Sequence, residues 1–403
     1  MSTRRDDASA GATLTIDLGA IVANWRLLQG RVGRAACAAV LKADAYGLGA
    51  AQVGPALATA GCRQFFVAHL DEAIALRPLL PHDASVSVLH GPMPGSEPDF
   101  VAHGVRPVLN SRAQLEGWRA LAHRLDRELE AVVQVDTGMA RLGLAPEELR
   151  GLAADPQAWA GVRVGLVMSH LACADEPAHP ANAAQRHRFL VARRLLPAAP
   201  ASLANSSGIF LGEDFHFDLV RPGAALYGIA PVAGAPNPLQ PVLRLDARVI
   251  QARHVEAGTA VGYGATWHSE RPTRIATVAV GYADGWLRSG GNRGAAWFGD
   301  VPLPLVGRVS MDTITLDAGA LAEGELQPGM AVTLIGGRAG LDAVAADAGS
   351  IAYELLTGLG RRYARRHVAP GLGALECLSD SQPAIASAIS RSRAGASREF
   401  MSR

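Results

Sequence analysis

Lys42 is the only lysine in a chain with 38 basic residues, so arginine occupies every other such position. A guanidinium keeps its proton near neutral pH, whereas an amine can be tuned to lose it and attack a carbonyl. The one position where arginine is not used is therefore a candidate for amine chemistry, above all a Schiff base. It stands in Leu41-Lys42-Ala43-Asp44-Ala45-Tyr46-Gly47-Leu48-Gly49. Other polar residues close apolar runs: Asp136, His170, Asn205 with Ser206, and Arg221. A lone buried histidine or asparagine is ordinarily a satisfied core group. The shared placement of these five gives them weight.

Glycines add a second signal. Gly223 follows Arg221-Pro222, and Ser206-Ser207-Gly208 follows Asn205, each where a strand pattern gives way to a helical one. Free N–H groups and a helix N-terminus there could hold a phosphate. An ordinary turn would use glycine in the same places. A reactive amine facing a phosphate cradle describes a pyridoxal 5'-phosphate site.

The elements that must position these groups follow from the apolar pattern. Strand candidates lie at 35–42, 64–70, 85–90, 105–110, 129–136, 164–171, 201–206 and 217–221, with amphipathic stretches at 50–60, 71–80, 112–126 and 181–196. Apolar strands separated by helices argue for a parallel sheet covered on both faces. Eight units in that length fit a (β/α)8 TIM-like barrel, with an open doubly wound sheet as the alternative. In a barrel the strand carboxyl ends form the mouth, which brings Lys42, Asp136, His170, Asn205, Ser206 and Arg221 to one rim. The loops after strands seven and eight are the usual phosphate cradle.

The pattern changes at the proline- and glycine-rich segment from Pro231 to Pro241, which reads as a linker. Runs at 243–251, 274–281, 303–309, 312–317 and 330–335 then predict a mainly antiparallel β domain, followed by one helix over 342–358. The expected division is 1–235 for the barrel, 236–372 for the β domain and 373–403 for a disordered tail.

Composition excludes several classes. The 38 basic and 37 acidic groups nearly cancel, and no basic stripe suggests nucleic acid. Four scattered cysteines and histidines without an HExxH pattern indicate neither a disulfide framework nor a metal site. No apolar run suits a signal peptide or a membrane span, so a cytoplasmic enzyme is expected.

Six segments in order resemble the motifs of the alanine racemase family: Leu41 to Gly49, Val135 to Gly143, Ser169 to Ala172, Val220 to Gly228, Gly262 to Thr266, and Gly307 to Asp312. The resemblance covers roughly residues 12–370. It implies a pyridoxal phosphate held covalently by Lys42, alanine as substrate, and a head-to-tail homodimer in which each β domain completes the partner's barrel mouth. By position it makes Tyr263 the second catalytic base, acting in the partner's site. Tyr46, Tyr353, Ser206, Gly223 and Ala224 match the phosphate contacts, and Arg221 matches the partner of the ring nitrogen. Arg141 and the backbone of Met311 match the contacts to the substrate carboxylate. A chain of contacts from Tyr263 through His170 to Arg221 is implied as well. His170 and Asn205 are implied in the cofactor site too, with Asp312 and Tyr282 as supports. Tyr353, Tyr282, Met311 and Tyr263 would crowd the substrate side chain, favouring alanine with serine tolerated.

The residue types agree with those roles. Racemisation needs a base on each face of Cα, and an amine and a phenol can serve. Arg221 cannot accept a proton, so a ring nitrogen beside it stays unprotonated and Cα is reprotonated quickly, which suits a racemase. Asp218, three residues earlier on the strand, is read as structural. A decarboxylase of related fold would need an acidic partner there. A cofactor carrier resembles a lone barrel, and the second domain argues against one. Broader amino-acid racemase activity is a residual alternative. One departure from the family stands two residues before Asp136. Its better-known members carry a carbamylated lysine there that steadies the carboxylate-binding arginine, and this chain has Gln134. Arg141 is thus expected to be held by an uncharged acceptor.

Overall fold

Seven apolar runs become parallel strands paired side by side in chain order: Ala39–Val40, Gln64–Val67, Ser85–Val88, Arg106–Leu109, Leu129–Gln134, Val162–Met168 and Ala201–Ser202. The eighth, Leu219–Val220, pairs in parallel with Ala36–Cys37, the beginning of the first. Bonds from Asp218 N to Ala201 O (3.0 Å) and from Arg221 N to Ala204 O (2.9 Å) tie it to the seventh and close the ring. The domain is a barrel, and the open sheet is excluded. These features come from a computed structural model that describes residues 9–368. The tail expected at 373–403 lies outside the described residues.

The barrel forms because its strands are apolar on both faces. Phe65, Phe66 and Val67 in the second strand are all fully buried. The expected helices appear as Ala50–Thr59, Leu70–Leu76, Arg112–Arg124 and Pro180–Arg193. Arg112–Arg124 begins where Ser111 Oγ accepts the Gln114 N–H (3.3 Å), and it turns Leu115, Trp118, Leu121 and Ala122 inward at helical spacing. Strands seven and eight lead only into short 3₁₀ turns, Ser207–Leu211 and Ala224–Tyr227.

The second sheet runs Val301–Pro304, Ala295–Phe298, Ala331–Ile335, Leu243–Val255, Ala12–Asp17, Ala364–Val368, with Thr273–Val278 and Ile314–Asp317 branching from Leu243–Val255. It is antiparallel except where Ala12–Asp17 meets Ala364–Val368. Neither of those two strands was expected from the sequence. Ala364–Val368 reads ARRHV and carries charge because it is an edge strand. The helix expected over 342–358 is two helices, Leu341–Asp347 and Ala352–Gly358, because Gly349 at φ +67° breaks it. The strand expected over 303–309 stops at Pro304, short of Gly307 at φ +78°.

Asn24, in the first helix Leu18–Arg31, fastens the linker to the barrel. Its side chain accepts from Gln240 N (2.7 Å) and donates to Gln240 O (2.9 Å) and Leu226 O (3.2 Å). Asp218 is structural, accepting the Ala201 N–H at 2.7 Å. Among the described residues no helix is long and apolar enough to cross a membrane.

Candidate active site

Lys42 opens an unusual turn. Ala43, Asp44, Ala45 and Tyr46 all have φ near +54°, a left-handed helical conformation in four successive non-glycine residues. Each such residue costs ~1–2 kcal/mol, so the surroundings must impose the shape. Glu72 accepts the Ala43 N–H at 2.5 Å, and Asp44 Oδ1 accepts the Ala50 N–H at 2.7 Å. The β domain presses from the other side: Arg365 donates to the Gly47 carbonyl, and a His367 ring nitrogen bonds the Leu48 carbonyl at 2.8 Å. Gly47 is required at φ +83°, since a Cβ would strike the Leu356 carbonyl. The turn puts the Lys42 amine half-buried, 5.9 Å from the centre of the Tyr46 ring. Burial first, then the Arg141 charge, lower its pKa, and Glu72 opposes them in part. The amine is thereby biased toward its reactive neutral form.

Arg221 is 4% exposed, and among the described residues no carboxylate pairs with it. Burial pushes its guanidinium down to about 9. It donates to Ser202 Oγ, to Ser169 O (2.6 Å) and to His170 Nδ1 (3.5 Å). A guanidinium only donates, so His170 Nδ1 accepts and the ring proton sits on Nε2. Burial, then Arg221, Arg141 and Lys42, push His170 down to about 3. A buried cation whose nearest partners are neutral acceptors fits a pyridine nitrogen.

The loops after strands seven and eight form a donor-rich pocket. Ser206 Oγ accepts the N–H groups of Gly223 (3.0 Å) and Ala225 (3.1 Å), which leaves its own O–H to donate outward. The Ala224 N–H has no hydrogen-bond partner among the described residues. Tyr46 lies over this pocket with its hydroxyl against the bare Cα of Gly223. Its ring packs on Tyr227 (4.8 Å) and Tyr353 (6.4 Å), so Tyr353 of the β domain reaches the mouth of its own subunit. Asn205 Oδ1 caps the next turn through the Gly208 N–H (2.9 Å). This donor set fits the phosphate of a pyridoxal cofactor, with Arg221 for the ring and Lys42 for the aldehyde.

Arg141 projects from a loop that Asp136 shapes. Asp136 Oδ1 accepts the N–H groups of Gly138 (2.8 Å), Met139 (3.0 Å) and Ala140 (3.2 Å). Burial pushes its carboxyl up, but these bonds and Arg188 outweigh that and lower it. Gln134 differs from expectation. It is buried and donates to the Leu142 carbonyl at 3.1 Å, so it holds the backbone next to Arg141, with no bond to the guanidinium among the described contacts. An amide can serve a backbone carbonyl in this way, whereas a carboxylate cannot.

Tyr263, Tyr282, Met311 and Asp312 lie on the β domain. Tyr263 is 71% exposed and Met311 53%, a costly display of large side chains for a subunit on its own. No hydrogen bond or ring contact joins Tyr263 to the rim residues of its own chain. Two participants, Glu72 and Ser202, escaped the sequence reading. Glu72 gathers the N–H groups of Ala43, Ala68 (2.8 Å) and His69 (3.0 Å); its place at the third residue of a helix after a strand was the available signal. Ser202, whose hydroxyl accepts from Arg221, carried none, while Ser169, within one of the six segments, adds its carbonyl.

Residues 16–231 match the family model for the alanine racemase N-terminal domain, and 242–367 that for the alanine racemase C-terminal domain. A catabolic alanine racemase of Mesorhizobium japonicum is 54% identical over 362 residues, covering 90% of this chain and 94% of that protein. An alanine racemase of Brucella canis is 50% identical over 375 residues, covering 90% and 95%. The solved alanine racemase of Bartonella henselae with covalently bound pyridoxal phosphate has a TM-score of 0.86 at 43% identity, covering 89% of this chain and 100% of that one. The biosynthetic alanine racemase of Pseudomonas aeruginosa has a TM-score of 0.82 at 36% identity, covering 89% and 99%.

Proposed function

The chain belongs to the alanine racemase family of pyridoxal-phosphate-dependent isomerases, and on that premise we propose that it interconverts L-alanine and D-alanine with two bases drawn from two subunits. The single observation that carries the shared site is the separation within one chain. Lys42 lies on the barrel rim, while Tyr263 stands exposed on the β domain and, among the described residues, shares no hydrogen bond or ring contact with that rim. A head-to-tail homodimer would bring Tyr263 of the partner subunit to the face opposite Lys42. The working units are 1–235 and 236–372, with the first strand lent to the second sheet.

When bound, pyridoxal phosphate supplies the electron-withdrawing ring that acidifies the Cα–H of the amino acid. Lys42, its amine pKa lowered by burial, moves a proton at Cα on one face, and Tyr263 of the partner subunit does so on the other. Arg221 would hold the ring nitrogen as a hydrogen-bond donor, its proton staying on the guanidinium. His170 stays neutral and directs its Nε2–H outward as a donor toward a phenolate. Tyr46, Ser206 and the Ala224 N–H would hold the phosphate, with Tyr353 packed over them and the Gly223 N–H fixing the Ser206 hydroxyl that faces it. Arg141 and the N–H of Met311 of the partner subunit bind the substrate carboxylate. The Met311 N–H has no intrachain partner among the described residues, which supports that role.

The test mixes two inactive variants. Lys42→Ala and Tyr263→Phe dimers, dissociated and re-paired at random, should regain about a quarter of wild-type activity, because each hybrid holds one intact site. No recovery with hybrids present would sink the shared site. Borohydride reduction with cofactor should label the peptide carrying Lys42 and no other.

The physiological direction has two readings. Supply of D-alanine for peptidoglycan is the first, and alanine catabolism is favoured by the names of relatives such as that of Mesorhizobium japonicum. A deletion strain that needs D-alanine supports the first; one that merely fails to grow on alanine as carbon source supports the second.

A further inference from the structure

Two short segments of the β domain carry the exposed side chains Tyr282 and Met311, and they are locked together. The Tyr282 N–H donates to the Ser310 carbonyl (3.0 Å), and the Ala283 N–H to the Met311 carbonyl (2.9 Å). Gly281 lies so close to both carbonyls that a Cβ would overlap them. Backbone contact therefore sets the distance between the segments.

Their lateral register is set by Arg362. Its Nε and Nη2 fork onto the two oxygens of Asp284 at 2.6 and 2.7 Å, and Nη1 reaches Asp312 Oδ1 at 2.7 Å. Asp284 is buried and also accepts the Gly281 N–H at 2.9 Å, so it belongs to the Tyr282 turn. Asp312 directly follows Met311. One planar guanidinium thus spans both segments with three donors, a geometry that a lysine ammonium cannot reproduce. The carrier loop is itself anchored, since the Gly360 N–H donates to the Asp284 carbonyl at 2.8 Å. Arg362 is half exposed and reaches no residue of the barrel rim among its hydrogen bonds.

We propose that Arg362 is a positioning residue for substrate binding: by clasping Asp284 to Asp312 it aligns the Tyr282 phenol with the Met311 N–H that one subunit offers its partner's catalytic mouth. The inference rests on the shared-site reading above. The Met311 N–H would meet a carboxylate that is bound alike before and during proton transfer. Misalignment should therefore raise KM for alanine and leave kcat nearly alone.

The two arms of the clasp differ in burial, which keeps the test clean. The Asp312 arm is exposed, so Asp312→Ala should leave the fold and the Asp284 pair intact. Arg362→Lys disrupts the fork itself. Initial rates of the holoenzyme dimer with L-alanine should show KM raised about tenfold in both variants, with kcat within about twofold of wild type. Asp312→Ala should keep the wild-type thermal midpoint and dimer mass. An unchanged KM in folded, dimeric Asp312→Ala overturns the inference, as does a KM that rises only in step with dimer dissociation. If the re-paired Lys42→Ala and Tyr263→Phe hybrids recover activity while KM stays unchanged, only the clasp is wrong. If they do not recover, the shared site fails first.

Discussion

The phenol oxygen of Tyr46 occupies the space that a Cβ on Gly223 would need. A side chain at Gly223 would have to displace that hydroxyl, so the close approach of Tyr46 requires glycine there. Gly223→Ala should therefore fold and dimerise but displace Tyr46 from the phosphate pocket. Overpacking of this kind costs ~1–3 kcal/mol, and part of it should appear as cofactor affinity weakened by about tenfold. Titration of the apoenzyme with pyridoxal phosphate measures it, and wild-type affinity would contradict the cradle.

His170 gives the protein an acid-side liability. Its folded pKa, about 3, lies below the unfolded value of 6.5, so between them the unfolded chain binds the extra proton. The stabilising contribution is complete above pH 6.5 and is lost as pH falls toward 3, with a slope of at most ~1.4 kcal/mol per pH unit. The ring keeps some contact with water in the single subunit, so the actual slope should be smaller. His170→Gln should be less stable than wild type at pH 7.5, and the gap should narrow at pH 5. Urea unfolding at one protein concentration tests this; a constant gap refutes it.

Gln134→Glu replaces an amide donor to the Leu142 carbonyl with a buried carboxylate that has nothing to donate. Loss of that bond and burial of the charge should cost ~1–3 kcal/mol of stability. Because the loop carries Arg141, KM for alanine should change more than kcat. An equal loss in both would show that Gln134 acts on the chemistry instead.

Glu72→Gln tests the support of the lysine turn. One carboxylate oxygen serves Ala43, while the other takes the N–H groups of Ala68 and His69. An amide NH₂ in either place would face donors. The variant should lose ~1–3 kcal/mol and several-fold in kcat, with KM less affected. Thermal melting and steady-state rates on the same preparation decide it.

Periodicity carried the architecture well because barrel strands are buried on both faces and show as unbroken apolar runs. It missed Ala12–Asp17 and Ala364–Val368, whose pairing depends on residues some 230 to 350 positions away rather than on local pattern. The rim residues from Lys42 to Arg221 were legible because each closes a strand. Glu72 and Ser202 were not, since their work is to hold backbone or a neighbour's guanidinium. Gln134 was visible as a departure, but its partner, a carbonyl eight residues on, appears only once the loop folds. Asp312 was placed near the site, while its link through Arg362 to Asp284 depends on three separate loops meeting.

The strand Ala12–Asp17 lies between Leu243–Val255 and Ala364–Val368, so the first and last described strands of the chain are neighbours. A nascent polypeptide leaving the ribosome can close its barrel early, but Ala12–Asp17 must wait for Ala364–Val368 before that edge of the sheet is complete. Since the Gly47 and Leu48 carbonyls lean on Arg365 and His367, the lysine turn gains its full support only once Ala364–Val368 has been made and has paired. Premature termination even a few codons before Ala364 should yield a barrel with a slack, inactive lysine segment.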